Sequence, residues 1–149
     1  MRLTELFSHW DQVHNDTLTL LDKFSDDELN HTAYQGGMTV GRIALHIAEA
    51  EEGWFRLIAT KKRDQWPTDY TLENYPNKSA IKALLTEVRA KTTTYLGTLT
   101  ADDLDAQIES PWGQFSLRFI IWHVIEHEIH HRGELSLILG TLGREGLDV

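Results

Sequence analysis

The segment TLTLLDKFSDDEL, from Thr17, returns as TTTYLGTLTADDL, from Thr92, with Thr, Leu and Asp at matching positions. A Gly-containing loop follows each copy, and TVGRIALHIAE from Thr39 is then matched by SLRFIIWHVIE from Ser116. Such a recurrence restricts the fold more than any single propensity, because each copy must build the same supersecondary unit. Ser25-Asp26-Asp27-Glu28 and Thr100-Ala101-Asp102-Asp103 both read as capping boxes opening a turn of helix in the connection, the second with Asp in place of Glu. On this register His46 is the counterpart of His123, and Glu49 of Glu126. The expectation is a helix-hairpin duplication with a pseudo-twofold axis.

Apolar residues recur at helical spacing in four stretches. They are residues 3–24 (Leu3, Leu6, Phe7, Trp10, Val13, Leu20, Leu21), 39–60 (Val40, Ile43, Ile47, Ala50, Trp54, Leu57), 78–98 (Ile81, Leu84, Leu85, Val88, Tyr95, Leu96) and 116–142. No segment sustains a two-residue alternation bounded by hairpin turns, so the chain reads as all-α, a four-helix bundle in a single domain over 1–149. Lys61-Lys62-Arg63 falls where the second helix should end, and its cations suit a helix C-terminus. The connection from Lys61 to Asn77, with Trp66, Tyr70 and Tyr75, is long for a bundle loop and predicts a lid or a dimer contact.

In the fourth stretch the inward stripe runs Leu117, Ile120, Val124, His127, His131, Leu135, Ile138, Leu142. Two histidines thus stand where the pattern asks for Leu or Ile. Residues four apart on a helix lie one turn above each other, so both imidazoles can converge on one point. His46, beside the stripe of Ile43, Ala50 and Leu57, can bring a third nitrogen from another helix. Buried imidazoles without partners would each cost on the order of 1–3 kcal/mol, and a divalent cation removes that cost. Neutral imidazole suits Zn, Ni or Fe(II), and three ligands with one open position describe a catalytic site. The alternative for His127 and His131 alone is a hydrogen-bonded core pair. His123, Glu126 and Glu49 are expected to support the ligands or line a pocket, whereas His9, His14, His31 and His130 are expected at the surface.

The remaining composition removes several function classes. No cysteine is present, so no thiolate ligand, disulfide or cysteine nucleophile exists. A formal charge of -9 opposes binding to nucleic acid or an acidic membrane face. MRLTELFSHWDQ lacks an apolar run of signal-peptide length and no later segment approaches a membrane span, so the expected location is the cytoplasm. HEIHH, His127 to His131, matches the H-E-x-x-H of zinc proteases, but Glu134 and Leu137 fill the places of the glycine and third histidine of its extended form. No upstream strand is evident to align a peptide. Glu128 is therefore read as incidental to the metal chemistry.

WHVIEHEIHHRGE followed by LSLILGTLG, together with the earlier GRIALHIAEAEEGW, resembles the DinB/YfiT-like family of small four-helix-bundle metalloproteins over essentially the whole chain. The ending H-x-x-x-H-R-G carries Glu134 where a Gln is common in that family. The resemblance implies a divalent metal, zinc or nickel among the candidates, held by His46, His127 and His131, and it implies a homodimer. It further implies transfer of a low-molecular-weight thiol to an electrophilic small molecule, with Trp54, Trp66 or Trp112 as pocket candidates. Two other readings stay open: a non-catalytic metal-binding or stress-response protein, and a metal-dependent hydrolase using Glu126, Glu134 or His123 as base.

Overall fold

The computed structural model describes residues 1–148. Its helices are α1 (Leu3–Leu6), α2 (His9–Asp22), α3 (Val40–Glu52), α4 (Lys78–Leu96) and α5 (Leu117–Thr141), and a two-stranded sheet, β1 (Gln107–Ser110) and β2 (Gly113–Ser116), precedes α5. The four long helices, α2 to α5, form the expected bundle. α3 packs on α4 and α5, and α2 packs on the same two. Helices consecutive within each repeated unit, α2 with α3 and α4 with α5, thus stand diagonally, and the two within-unit connections cross opposite ends of the bundle.

Both capping boxes form: Glu28 Oε2 accepts from Ser25 N at 2.8 Å, and Asp103 Oδ2 from Thr100 N at 2.8 Å. Each opens a 3-10 turn, and each unit then enters its second helix through a hydroxyl N-cap, Thr39 for α3 and Ser116 for α5. Asn77 caps α4 in the same way, accepting from Ala80 N at 2.9 Å.

Three local departures have physical causes. The stretch expected as one helix over 3–24 breaks at Phe7–Ser8, because the chain start is tied to the α4 end: Leu3 N donates to the Leu99 carbonyl at 3.1 Å and Arg2 Nη1 to that of Gly97 at 2.7 Å. α3 runs into a wider π-helical segment, Gly53–Ala59, and Lys61 closes it with φ 54°. The β1–β2 hairpin, with Ile108 opposite Phe115, was not expected. Its strands have four residues each, too few for an alternation to register, and its turn depends on Gly113 at φ 121°, which side-chain-bearing residues avoid.

The apolar interior is in two parts. One joins Leu20, Leu21, Phe24, Val40, Ile43, Leu85, Leu135 and Ile138; the other joins Leu3, Trp10, Val13, Phe55, Leu96, Leu117, Ile120 and Val124. Buried polar residues, namely His14, Thr17, Glu51, Glu52, Arg89, Thr92, Glu128 and His131, mark the level between them. The 60–77 connection is strapped along α3, with Tyr70 buried in the first core and Arg63 paired to Asp69 at 2.8 Å. Among the described residues no helix is long and apolar enough to cross a membrane.

Candidate metal centre

His46 on α3 meets His127 and His131 on α5. The imidazole centroids lie 4.7 Å (46–127), 4.9 Å (46–131) and 4.4 Å (127–131) apart, with ring planes inclined by 66–79°. One nitrogen from each residue lies within 4.8 Å of the others, and the Nε2 atoms of His46 and His127 are 3.1 Å apart. Two imidazoles on one tetrahedral zinc, at about 2.0–2.1 Å each, would place their nitrogens ~3.3 Å apart. The donor set therefore fits a borderline divalent ion.

The other ring nitrogens are tied to carboxylates. His131 Nδ1 pairs with Glu134 Oε2 at 2.7 Å, which leaves Nε2 as the nitrogen available to a metal. His46 Nδ1 lies 3.4 Å from Glu49 Oε2, a longer contact, and Glu49 is itself held by Arg42 Nη2 at 2.6 Å and by Trp66 Nε1 at 2.9 Å. Burial pushes the Glu49 carboxyl up, but the hydrogen bonds from Arg42 and Trp66 outweigh it and leave it below the usual carboxylate range. Trp66 can reach this position because its ring lies against Gly53, where an added Cβ would fall 2.5 Å from ring carbons.

Burial, then the neighbouring His131 and His46, carries His127 down to about 3. Burial also lowers His131, against the opposing pull of Glu134. Both imidazoles are thus kept neutral at physiological pH, the form that binds metal.

The other expected residues divide. His123 stacks on Phe119 at 5.4 Å and 7°, meets Trp54 at 5.1 Å, and is 6.5 Å from the His127 ring, so it lines an aromatic wall beside the centre. That wall includes all three tryptophans named from the sequence: Trp54 contacts Trp112 at 5.8 Å, and Trp112 contacts Trp66 at 6.1 Å. Glu126 shows no contact with the three imidazoles. It points to solvent from the outer face of α5, one residue out of phase with His127. His9 and His130 are exposed and His31 is half-buried, while His14 is buried, contrary to its expected surface position.

Glu128 has a structural role that the sequence did not show. It is 1% exposed and is the buried residue at its turn of α5, while the neighbouring His127 is only half-buried. Its oxygens accept from Trp10 Nε1 at 2.8 Å and Arg89 Nη2 at 2.6 Å, and pair with His14 Nδ1 at 3.0 Å. Arg89 also reaches Glu51 Oε2 at 3.0 Å and lies 3.6 Å over the Trp10 ring. Burial would raise Glu128, but the His14 hydrogen bond and the Arg89 charge carry it down to about 2. The carboxylate that completes H-E-x-x-H is therefore committed to the bundle interior, joining α5 to α2 and α4. Arg42 was missed altogether, although its spacing of seven from Glu49 places both on one face of α3.

The protein has relatives with the same architecture. It is 25% identical to YjoA of Bacillus subtilis over 146 residues, covering 96% of this chain and 92% of YjoA, and 25% identical to YizA of the same organism over 140 residues, covering 91% and 84%. A DinB-like protein from Bacillus cereus superposes with a TM-score of 0.75 at 20% identity, over 99% of this chain and 97% of its own. YfiT of Bacillus subtilis, described as "a probable metal-dependent hydrolase with an unusual four-helix bundle topology", superposes with a TM-score of 0.68 at 21% identity, over 93% and 88%. The sequence profile of the DinB family matches residues 1–149, from the chain start through the His127–His131 helix, and the chain belongs to that family.

Proposed function

We propose that this DinB-family protein binds one divalent transition metal, zinc or nickel with Fe(II) as a further candidate, through His46, His127 and His131, and acts on a small molecule. The observation that carries this reading is the convergence of three imidazoles from two helices, with the outer nitrogens of two of them facing carboxylates. A bound dication supplies Lewis acidity that deprotonates a thiol or a water at neutral pH. The chain's own residues supply the rest: Glu134 orients His131, Glu49 supports His46, and the wall of Trp54, Phe119 and His123 keeps one side apolar.

The finer reading is transfer of a low-molecular-weight thiol to an electrophile, as the family resemblance implies; in a chain without cysteine that sulfur arrives as substrate. Hydrolysis is the second reading, supported by the description of YfiT and by Glu134, a carboxylate in contact with a candidate ligand and 38% exposed. Glu126 is exposed on α5, whereas Glu134 contacts a candidate ligand, which favours Glu134 as the base. A non-catalytic metal-binding or stress role is what remains if no turnover is found. The exposed side of α5, with Phe119, Trp122 and Ile129, offers an apolar face for the homodimer that the family resemblance implies.

Elemental analysis of untagged protein is expected to find near-stoichiometric metal that is lost in His46→Ala and His127→Ala. Undiminished metal in both variants would remove the site. Metal-loaded protein assayed with a chloro-nitro arene is then expected to consume it only when a cellular thiol is added. Thiol-independent turnover of an ester would favour hydrolysis instead.

A further inference from the structure

A second feature adjoins the imidazoles. Between the 32–38 loop and the C-terminal turns of α5 lies a cavity of about 200 Å³, lined among others by Thr32, Tyr34, Met38, Ile43, Glu134 and Leu137. Ile43 is three residues before His46 and Glu134 three after His131, so the cavity begins about one helical turn, ~5 Å, from the imidazoles along both helices. Glu134 belongs to both places: its Oε2 pairs with His131 at 2.7 Å, and its side chain forms part of the cavity wall.

We propose that this cavity binds the body of the small-molecule substrate, and that the substrate class is an apolar molecule bearing a hydrogen-bond donor, an amine or a hydroxyl, selected by Glu134. The proposal rests on the metal reading above and adds to it the ligand's chemistry. Glu134 is the only carboxylate or basic group in the lining, and the rest is mainly aliphatic or aromatic. Its second oxygen is 3.6 Å from His130 Nε2, beyond hydrogen-bond length, so acceptor capacity remains for a ligand. A donor in the cavity completes that carboxylate, whereas a ligand carboxylate meets like charge. The rim supplies the apolar term: Tyr34 is 71% and Leu137 65% exposed, and a ligand seated between them removes both from water.

The test uses three probes of similar size, 2-phenylethylamine, 2-phenylethanol and 3-phenylpropionate, titrated into the full chain and followed by backbone amide shifts. The protein is dialysed against EDTA first, so that a carboxylate cannot register by binding metal. Expected are shifts confined to residues 32–43 and 134–138 for the amine and the alcohol, with the carboxylate weaker by about tenfold or more through charge repulsion. Glu134→Gln is expected to erase that preference. Leu137→Lys, at an exposed position, is expected to place a cation in the cavity and weaken the amine about tenfold while metal stoichiometry stays that of the parent. Equal binding of amine and carboxylate, shifts elsewhere in the bundle, or unchanged amine binding in Leu137→Lys overturns the proposal. Metal content measured on each preparation before the EDTA step separates the two ideas: a protein purified without metal that still ranks the probes as expected removes the metal reading alone.

Discussion

At the scale of single residues, the candidate centre depends on side chains that would hold no metal themselves. Trp66 donates to Glu49, and Glu49 faces His46. Glu49→Gln should therefore weaken metal binding by roughly 10–100-fold, the usual effect of removing an outer partner. If Trp66 acts through Glu49, Trp66→Phe weakens binding in the parent but adds little in the Glu49→Gln background, whereas additive losses in a titration with a metal indicator would mean that it acts by packing alone. Gly53→Ala drives a methyl into the Trp66 ring and should cost about 1–3 kcal/mol in urea unfolding, with weaker metal binding as a second effect. His46, His127 and His131 were legible in the sequence because polar residues on a core-facing helix side stand out. Trp66 and Arg42 were harder to assign, since a tryptophan in a loop and an arginine on a helix have many ordinary uses.

At the scale of elements, α5 carries two of the three imidazoles, and its rotation about its own axis is fixed by Glu128. That carboxylate meets Trp10 and His14 of α2 and Arg89 of α4, so the turn that bears His127 is held from the opposite side. Glu128→Ala leaves the Arg89 guanidinium short of a counter-charge in the interior and is expected to destabilise the protein by about 3–5 kcal/mol. Glu126→Ala, on the solvent side of the same helix, should stay within about 0.5 kcal/mol of the parent. Comparable losses in chemical denaturation of the two variants would contradict this division of α5. The helices themselves were readable from periodicity and caps, but the stripe drawn through His127 was one residue off at this turn. The sequence named no partner for Glu128, because the Arg89 that holds it inside lies on a different helix. The hairpin before α5 was invisible for another reason: four-residue strands that expose much of both faces leave no pattern to detect.

At the scale of the whole molecule, the bundle places ionisable groups between two apolar clusters, and its stability should follow pH accordingly. His127 binds a proton near 6.5 when unfolded and at about 3 when folded, so the metal-free protein loses stability as pH falls through that interval. Glu128, at 4.5 unfolded and about 2 folded, adds a further loss over that lower window. Glu51, raised chiefly by burial against the opposing charge of Arg89, works in the opposite direction, holding its proton more firmly in the folded state. The net expectation is a melting temperature that declines from pH 7 to pH 4 in EDTA; a flat profile there would be inconsistent with a neutral His127. A metal at 100 times its dissociation constant should add ~2.7 kcal/mol, a rise of roughly 5–10 °C that EDTA reverses and His127→Ala lacks. Sequence alone determined the helical class, the repeated unit and the three converging histidines, because periodicity, capping chemistry and repetition are written in local order. Only the tertiary structure decided what Glu128 and His14 do, which nitrogen of His131 is free, and that a cavity opens beside Glu134. Those facts depend on which side chains from distant segments arrive at the same level of the bundle, and no local pattern encodes that arrival.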